Sequence, residues 1–191
     1  MMLTLGRLVL APVVAALILW AAHELYADRL LAGFIYALAA TLFIVAALSD
    51  WLDGWLARKY DAVTPLGAAL DHCADKVLTT CALVTLAYAA LPFHLIAAAT
   101  ILLGRDVFVA GLREGVSQSG RTLPVSALGK WKAAAEMAGI AAILIQQAAA
   151  ILFAPPNWIT GLGWAGAGLL WLAAALALLS GASYVGAALR R

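Results

Sequence analysis

The sequence predicts an all-α integral membrane protein: a bundle of six transmembrane helices, one domain over residues 1–191, with its polar chemistry at the cytoplasmic side. Three observations carry that prediction. The chain is 65% hydrophobic and only 12% charged, with a mean hydropathy of +0.98, a composition of membrane rather than soluble proteins. Six apolar stretches recur at 8–22, 30–48, 77–91, 95–112, 133–153 and 159–189. The basic residues then fall almost entirely on one side of the alternation.

The elements follow in order. Residues 3–20 have one Arg and an apolar run, like a signal peptide, but show no small-residue cleavage site; they are read as a retained first helix. Several uncharged cores are shorter than the ~20 residues needed to span a bilayer. The charged helix ends beside them complete the spans. The turns Leu91-Pro92-Phe93 and Ala154-Pro155-Pro156-Asn157 carry no charge and fit the outer face. Arg7, Arg58, Lys59, Lys76, Arg113, Arg121, Lys130, Lys132, Arg190 and Arg191 share the other face, and Arg29 stands opposite. Basic flanks face the cytoplasm, so the expectation is a multi-pass protein of the inner (cytoplasmic) membrane with both termini cytoplasmic.

Between the second and third stretches the pattern breaks. Asp50-x-x-Asp53-Gly54-x-x-Ala57-Arg58 is followed by Gly67-x-x-x-Asp71-x-x-x-Asp75, four carboxylates within 26 residues. An ionised side chain at membrane depth costs roughly 2.5–3.5 kcal/mol on insertion scales, and four together repel one another. Only Arg58, Lys59 and Lys76 are near in sequence to offset them. Residues three or four apart share a helix face, so each half of the pattern is one stripe, and two helix ends can aim both stripes at one point. Such an oxygen-rich, anionic cluster suits hard divalent cations, Mg²⁺ or Mn²⁺, and two ions close together suit phosphoryl transfer. Gly54, Ala57 and Gly67 leave room for a bulky ligand or a close backbone. The competing reading is a solvated charged loop flanking two helices.

Other residues exclude functions. The net charge of +2 follows from the basic flanks, and there is no clustered soluble basic surface for nucleic acid. Cys73 and Cys81 lie eight residues apart on one helix, cannot bridge each other and have no metal-ligand spacing. Trp51, Trp55 and Trp131 near one boundary and Trp20 and Trp158 near the other form an aromatic belt; Trp164 and Trp171 are packing residues facing lipid or helix.

The string D-G-x2-A-R-x8-G-x3-D-x3-D, with a further Asp three residues earlier, resembles the signature of the CDP-alcohol phosphotransferase family. Every fixed position matches: Asp50, Asp53, Gly54, Ala57, Arg58, Gly67, Asp71 and Asp75. The resemblance implies a divalent-metal-dependent phosphatidyltransferase of phospholipid biosynthesis, which displaces CMP from CDP-diacylglycerol by the hydroxyl of an acceptor alcohol. It implies that Asp50, Asp53, Asp71 and Asp75 hold two ions, and that Asp53, Gly54, Arg58, Thr64 and Gly67 contact the CDP-lipid. It also implies Asp75 as general base and assembly as a homodimer through later helices, where Gly161/Ala165 and Gly163/Ala167 would permit close packing. His72 follows Asp71 directly, about 100° off the carboxylate stripe, and is a second candidate base.

The remaining cations bear on the acceptor. Arg105 stands mid-membrane, about two-thirds along its span, while Arg113 and Lys130 converge on the cytoplasmic level; together they would form an anion pocket beside the metals, although Arg105–Asp106 also reads as a neutralised pair that stabilises helix packing. Leu103-Gly104-Arg105-Asp106, Gly111-Leu112-Arg113-Glu114 and Leu128-Gly129-Lys130-Trp131-Lys132 resemble the family branch whose acceptor is glycerol 3-phosphate. Leu3-Thr4-Leu5-Gly6-Arg7-Leu8 resembles the start of its first helix, which implies acceptor contacts from Thr4 and Arg7. Three positions depart from that branch: its Asn two residues before the Leu-Thr pair has no counterpart, Asp106 replaces Glu, and Ala133 replaces Thr. The alternatives are another acceptor (phosphatidylglycerol, as in cardiolipin synthesis, an inositol phosphate, serine or choline) and, from a different class, a cation-coupled transporter. A transporter predicts inverted repeats, and the two halves of this chain show no such correspondence.

Overall fold

A computed structural model describes residues 2–59, 65–118, 120, 127–152 and 154–189, with side chains at 6–49, 67, 70–118, 120, 127–152 and 154–188. Those residues form six helices: α1 (Met2–Glu24), α2 (Arg29–Lys59), α3 (Pro65–Ala89), α4 (Phe93–Gln118), α5 (Ala127–Ile151) and α6 (Pro156–Leu189). No strand occurs among the described residues. Helices α1 to α5 extend past their apolar stretches into the charged flanks, because helical hydrogen bonding continues wherever Ala, Leu and short polar residues allow it.

The helix starts have local causes. Pro65 and Pro156 open α3 and α6, where the missing N–H is not needed and the fixed φ suits the first turn. Asp28 caps α2, accepting a 3.0 Å hydrogen bond from the Leu31 amide. Within the helices, Thr41, Thr85, Thr100 and Thr160 return their hydroxyls to backbone carbonyls one turn back, which satisfies them in an apolar setting.

Five of the six helices, α1, α2, α4, α5 and α6, are long and apolar enough to cross a membrane. The other, α3, is 25 residues long and carries Asp71, Asp75 and Lys76 in its first half. The core is built from small and branched residues at helical spacing: Ala11, Val14 and Ile18 on α1, Ala39 and Phe43 on α2, Leu78 and Leu83 on α3, Leu102 on α4, Ile140 and Leu144 on α5, Leu170 and Ala174 on α6. Outward faces carry exposed Phe34, Val84, Phe108, Leu178 and Leu179, as expected where the surrounding solvent is lipid.

The contacts join α1 to α2 and α3, α2 to α5, α4 to α6, and α5 to α6. The α5–α6 crossing depends on small residues. A Cβ at Gly166 would lie 2.7 Å from Ile143 Cγ1 and 3.3 Å from the Gly139 carbonyl oxygen, so backbones approach at that point. Gly163 faces Gln146 of α5, whereas a Cβ at Gly161 would meet nothing within 4 Å and Ala165 is exposed. Of the two small-residue pairs expected to permit dimer packing, the Gly163 side is therefore used inside the fold.

Successive helices alternate in direction, and this positions the site. The start of α1, the starts of α3 and α5, and the later parts of α4 and α6 meet at one end of the bundle, tied by the contacts of Arg7, Lys76, Arg105 and Lys132 with other helices.

Candidate active site

On α3, Asp71 and Asp75 are one turn apart and share a face, as the i, i+4 spacing requires. Arg7 reaches across from α1 and donates to Asp71 Oδ1; Arg7 is 1% exposed and the Asp71 side chain 32%. A guanidinium this deeply buried needs a carboxylate partner. Arg7, expected on the acceptor side, thus stands against a carboxylate of the expected metal set.

A cavity of about 170 Å³ opens beside this pair. Its lining includes His72, Asp75 and Lys76 of α3, Arg105 and Arg113 of α4, Lys130 and Lys132 of α5, and Tyr184 of α6. Asp75, Arg105, Arg113 and Lys130, singled out in the sequence from three separate segments, are thereby brought to one space. His72 lines it as well. Lys130 is exposed.

An ionic network centred on Asp106, itself a lining residue, runs along the cavity wall. Its Oδ2 accepts from Lys76 Nζ and from Lys132 Nζ, both at 2.7 Å, and its Oδ1 from Arg105 Nη1 at 3.1 Å. Lys132 also donates to Glu136 Oε2 at 2.7 Å, and both side chains are 1% exposed. Three cations and two carboxylates leave one net positive charge in this group. Arg105 is further held by Ser180 Oγ at 2.7 Å and by the Ala177 carbonyl at 3.4 Å. Arg113 donates through Nη2 to the Tyr184 hydroxyl at 2.8 Å. Arg105–Asp106 is thus one contact of a network spanning α3, α4 and α5, and Arg105 still reaches the cavity.

Glu136, Ser180 and Tyr184 were not singled out in the sequence. Glu136 has a local signal, standing four residues after Lys132. Ser180 and Tyr184 stand one turn apart on a helix with few polar residues, and that is the signal for them.

Asp50, Asp53, Gly54 and Arg58 lie on α2, but their side chains, like that of Thr4 on α1, fall outside the described residues; Thr64 falls outside them altogether. Gly67 stands one turn before Asp71. Among the described residues no group of three or more His, Cys, Asp or Glu is gathered for a metal. The described part of the expected set, Asp71 and Asp75, offers carboxylate oxygens one turn apart, and that donor chemistry fits a hard divalent cation. Cys73 and Cys81 are free thiols.

Residues 1–179 match the family model described as CDP-alcohol phosphatidyltransferase. The chain is 35% identical over 210 residues to the CDP-diacylglycerol–glycerol-3-phosphate 3-phosphatidyltransferase of Cereibacter sphaeroides, an alignment covering 95% of this chain and 91% of that one. It is 38% identical over 156 residues to the protein of the same name from Pseudomonas fluorescens, covering 80% and 75% of the two chains. With that of Escherichia coli K12 the identity is 35% over 152 residues, covering 78% of each chain.

Proposed function

This chain belongs to the CDP-alcohol phosphatidyltransferase family, and from that premise we propose that it transfers a phosphatidyl group from CDP-diacylglycerol to glycerol 3-phosphate, giving phosphatidylglycerophosphate and CMP. The observation that carries the acceptor assignment is the cavity itself. A candidate base, Asp75, shares it with Arg105, Arg113 and Lys130, cations suited to an acceptor that brings its own phosphate. The names of the relatives support the same pair of substrates.

The residues divide the work between the two substrates. Arg105, Arg113 and Lys130 receive the acceptor's phosphate and turn its primary hydroxyl toward Asp75. Asp75 takes the hydroxyl proton as the oxygen forms its bond to the lipid-linked phosphorus. The bond from that phosphorus to the CMP oxygen breaks, and CMP leaves. Asp53, Gly54, Arg58, Thr64 and Gly67 bind the CDP portion, and Arg58 suits it because a planar guanidinium can clamp a phosphate or stack on a base. Asp50, Asp53, Asp71 and Asp75 would hold Mg²⁺ or Mn²⁺, which when bound neutralises pyrophosphate oxygens. Thr4 and Arg7 flank the acceptor side, Arg7 through its hold on Asp71.

The whole chain, residues 1–191, acts as one membrane domain in this reading, with α3 as the sixth span and the site at the cytoplasmic face of the inner membrane. The basic flanks at the site end support that orientation. The exposed Gly161 and Ala165 face on α6 is the surface through which a homodimer would pack. The test offers purified protein CDP-diacylglycerol and Mg²⁺ with glycerol 3-phosphate, an inositol phosphate, phosphatidylglycerol or serine. Phosphatidylglycerophosphate should dominate, and excess chelator should abolish it; a different dominant product defeats the acceptor assignment.

A further inference from the structure

Two guanidiniums facing one cavity repel each other, so something must hold them there before any anion arrives. Tyr184 of α6 is 4% exposed and touches both. Its hydroxyl accepts from Arg113 Nη2 at 2.8 Å. Its ring centroid lies 5.0 Å from Arg113 Cζ and 5.6 Å from Arg105 Cζ, within the ~6 Å reach of a cation–π interaction. The negative face of an aromatic ring attracts both cations without cancelling charge, whereas Asp106 already neutralises part of Arg105. One turn earlier on α6, Ser180 fixes Arg105 Nη2 at 2.7 Å.

The donor accounting leaves capacity for a ligand. A guanidinium carries five N–H donors. Arg105 commits one each to Asp106, Ser180 and the Ala177 carbonyl. Arg113 gives one to Tyr184, and its Nε is buried with no partner among the described residues. Ser180 and Tyr184 also lie beyond residue 179, where the family match ends.

We propose that Tyr184 is a positioning residue that sets acceptor selectivity: it holds Arg113 and Arg105 together so that the cavity prefers the dianion of a phosphomonoester. This rests on the acceptor reading of the same cavity. A phosphodiester, with one negative charge, gains less from two aligned guanidiniums, so the preference for a monoester over a diester acceptor originates in this α6 contact.

The test uses the full-length enzyme in mixed micelles with CDP-diacylglycerol and Mg²⁺. Tyr184→Phe keeps the ring and removes only the hydroxyl acceptor. It should raise KM for glycerol 3-phosphate about three- to tenfold, with kcat and the KM for CDP-diacylglycerol within about twofold. Inorganic phosphate, as a competitor of glycerol 3-phosphate, should lose affinity by a similar factor. Because Tyr184 acts through Arg113, adding Tyr184→Phe to Arg113→Ala should raise KM no further. Tyr184→Leu, which removes the ring, should have the larger effect; if it does not fold, Tyr184→Phe and the phosphate competition still decide. An unchanged acceptor KM, an equal rise in both substrates' KM, or full additivity with Arg113→Ala overturns the proposal. A parent enzyme that makes no product from glycerol 3-phosphate overturns the acceptor reading and this proposal together. An active parent with a normal Tyr184→Phe variant overturns this proposal alone.

Discussion

Asp106 receives three cations, Lys76, Lys132 and Arg105, and its side chain is 9% exposed. Removing it leaves those charges facing one another at membrane depth. Asp106→Ala should therefore destabilise the fold by about 3–5 kcal/mol, the range for breaking a buried ion pair on one side, seen as a lower thermal midpoint in detergent. Asp75 should behave differently, because its proposed part is to take the acceptor's proton. Asp75→Asn should lower kcat by roughly 10²–10⁴, the range for a lost general base, with a smaller effect on the KM for CDP-diacylglycerol. A parallel loss of CDP-lipid affinity in steady-state kinetics would make Asp75 a ligand only. Asp71 and Asp75 were legible in the sequence because their partnership is local, one helical turn. Asp106 as a hub was not, since Lys76 and Lys132 stand 30 and 26 residues away and nothing in a single sequence pairs them. Arg7 with Asp71, separated by 64 residues, was hidden for the same reason.

At the scale of elements, the apolar stretches located every helix, but every helix starts before its stretch does. Residues 77–91 marked only the later part of α3, whose first three turns carry the carboxylates and begin at Pro65. Hydropathy follows lipid contact, whereas helices continue through polar residues as long as their backbone bonds are made. The small-residue spacing on α6 was legible as packing, but its partner was not. Gly163 and Gly166 face α5 within the chain. Gly166→Val should accordingly overpack the crossing and lower stability by about 1–3 kcal/mol, while Gly168→Ala, where a Cβ would meet nothing within 4 Å, should leave the thermal midpoint unchanged. Equal midpoints for both variants would mean that the α5–α6 crossing tolerates wider spacing.

For the molecule as a whole, the alternation of basic flanks anticipated that Arg7, Lys76 and Lys132 would share one end of the bundle. It did so because an even number of antiparallel helices returns every second loop to the same end. In sealed vesicles, glycerol 3-phosphate cannot cross the bilayer unaided. Inverted vesicles should therefore make product from glycerol 3-phosphate added outside, and right-side-out vesicles should do so only after permeabilisation. The opposite pattern would reverse the orientation.

Among the described residues, the fully buried charges are Arg7, Lys132 and Glu136, all at the site end, while the middle of the bundle is filled by Phe43, Leu83, Leu102, Leu144 and Leu170. A phosphate headgroup has no polar route through such a core, and carrying it across some 30 Å of hydrocarbon is prohibitive. Every product molecule is therefore born in the single leaflet that the site faces. The reaction exchanges one headgroup for another within that leaflet, and supply of the product to the opposite leaflet must rely on a separate lipid translocation step.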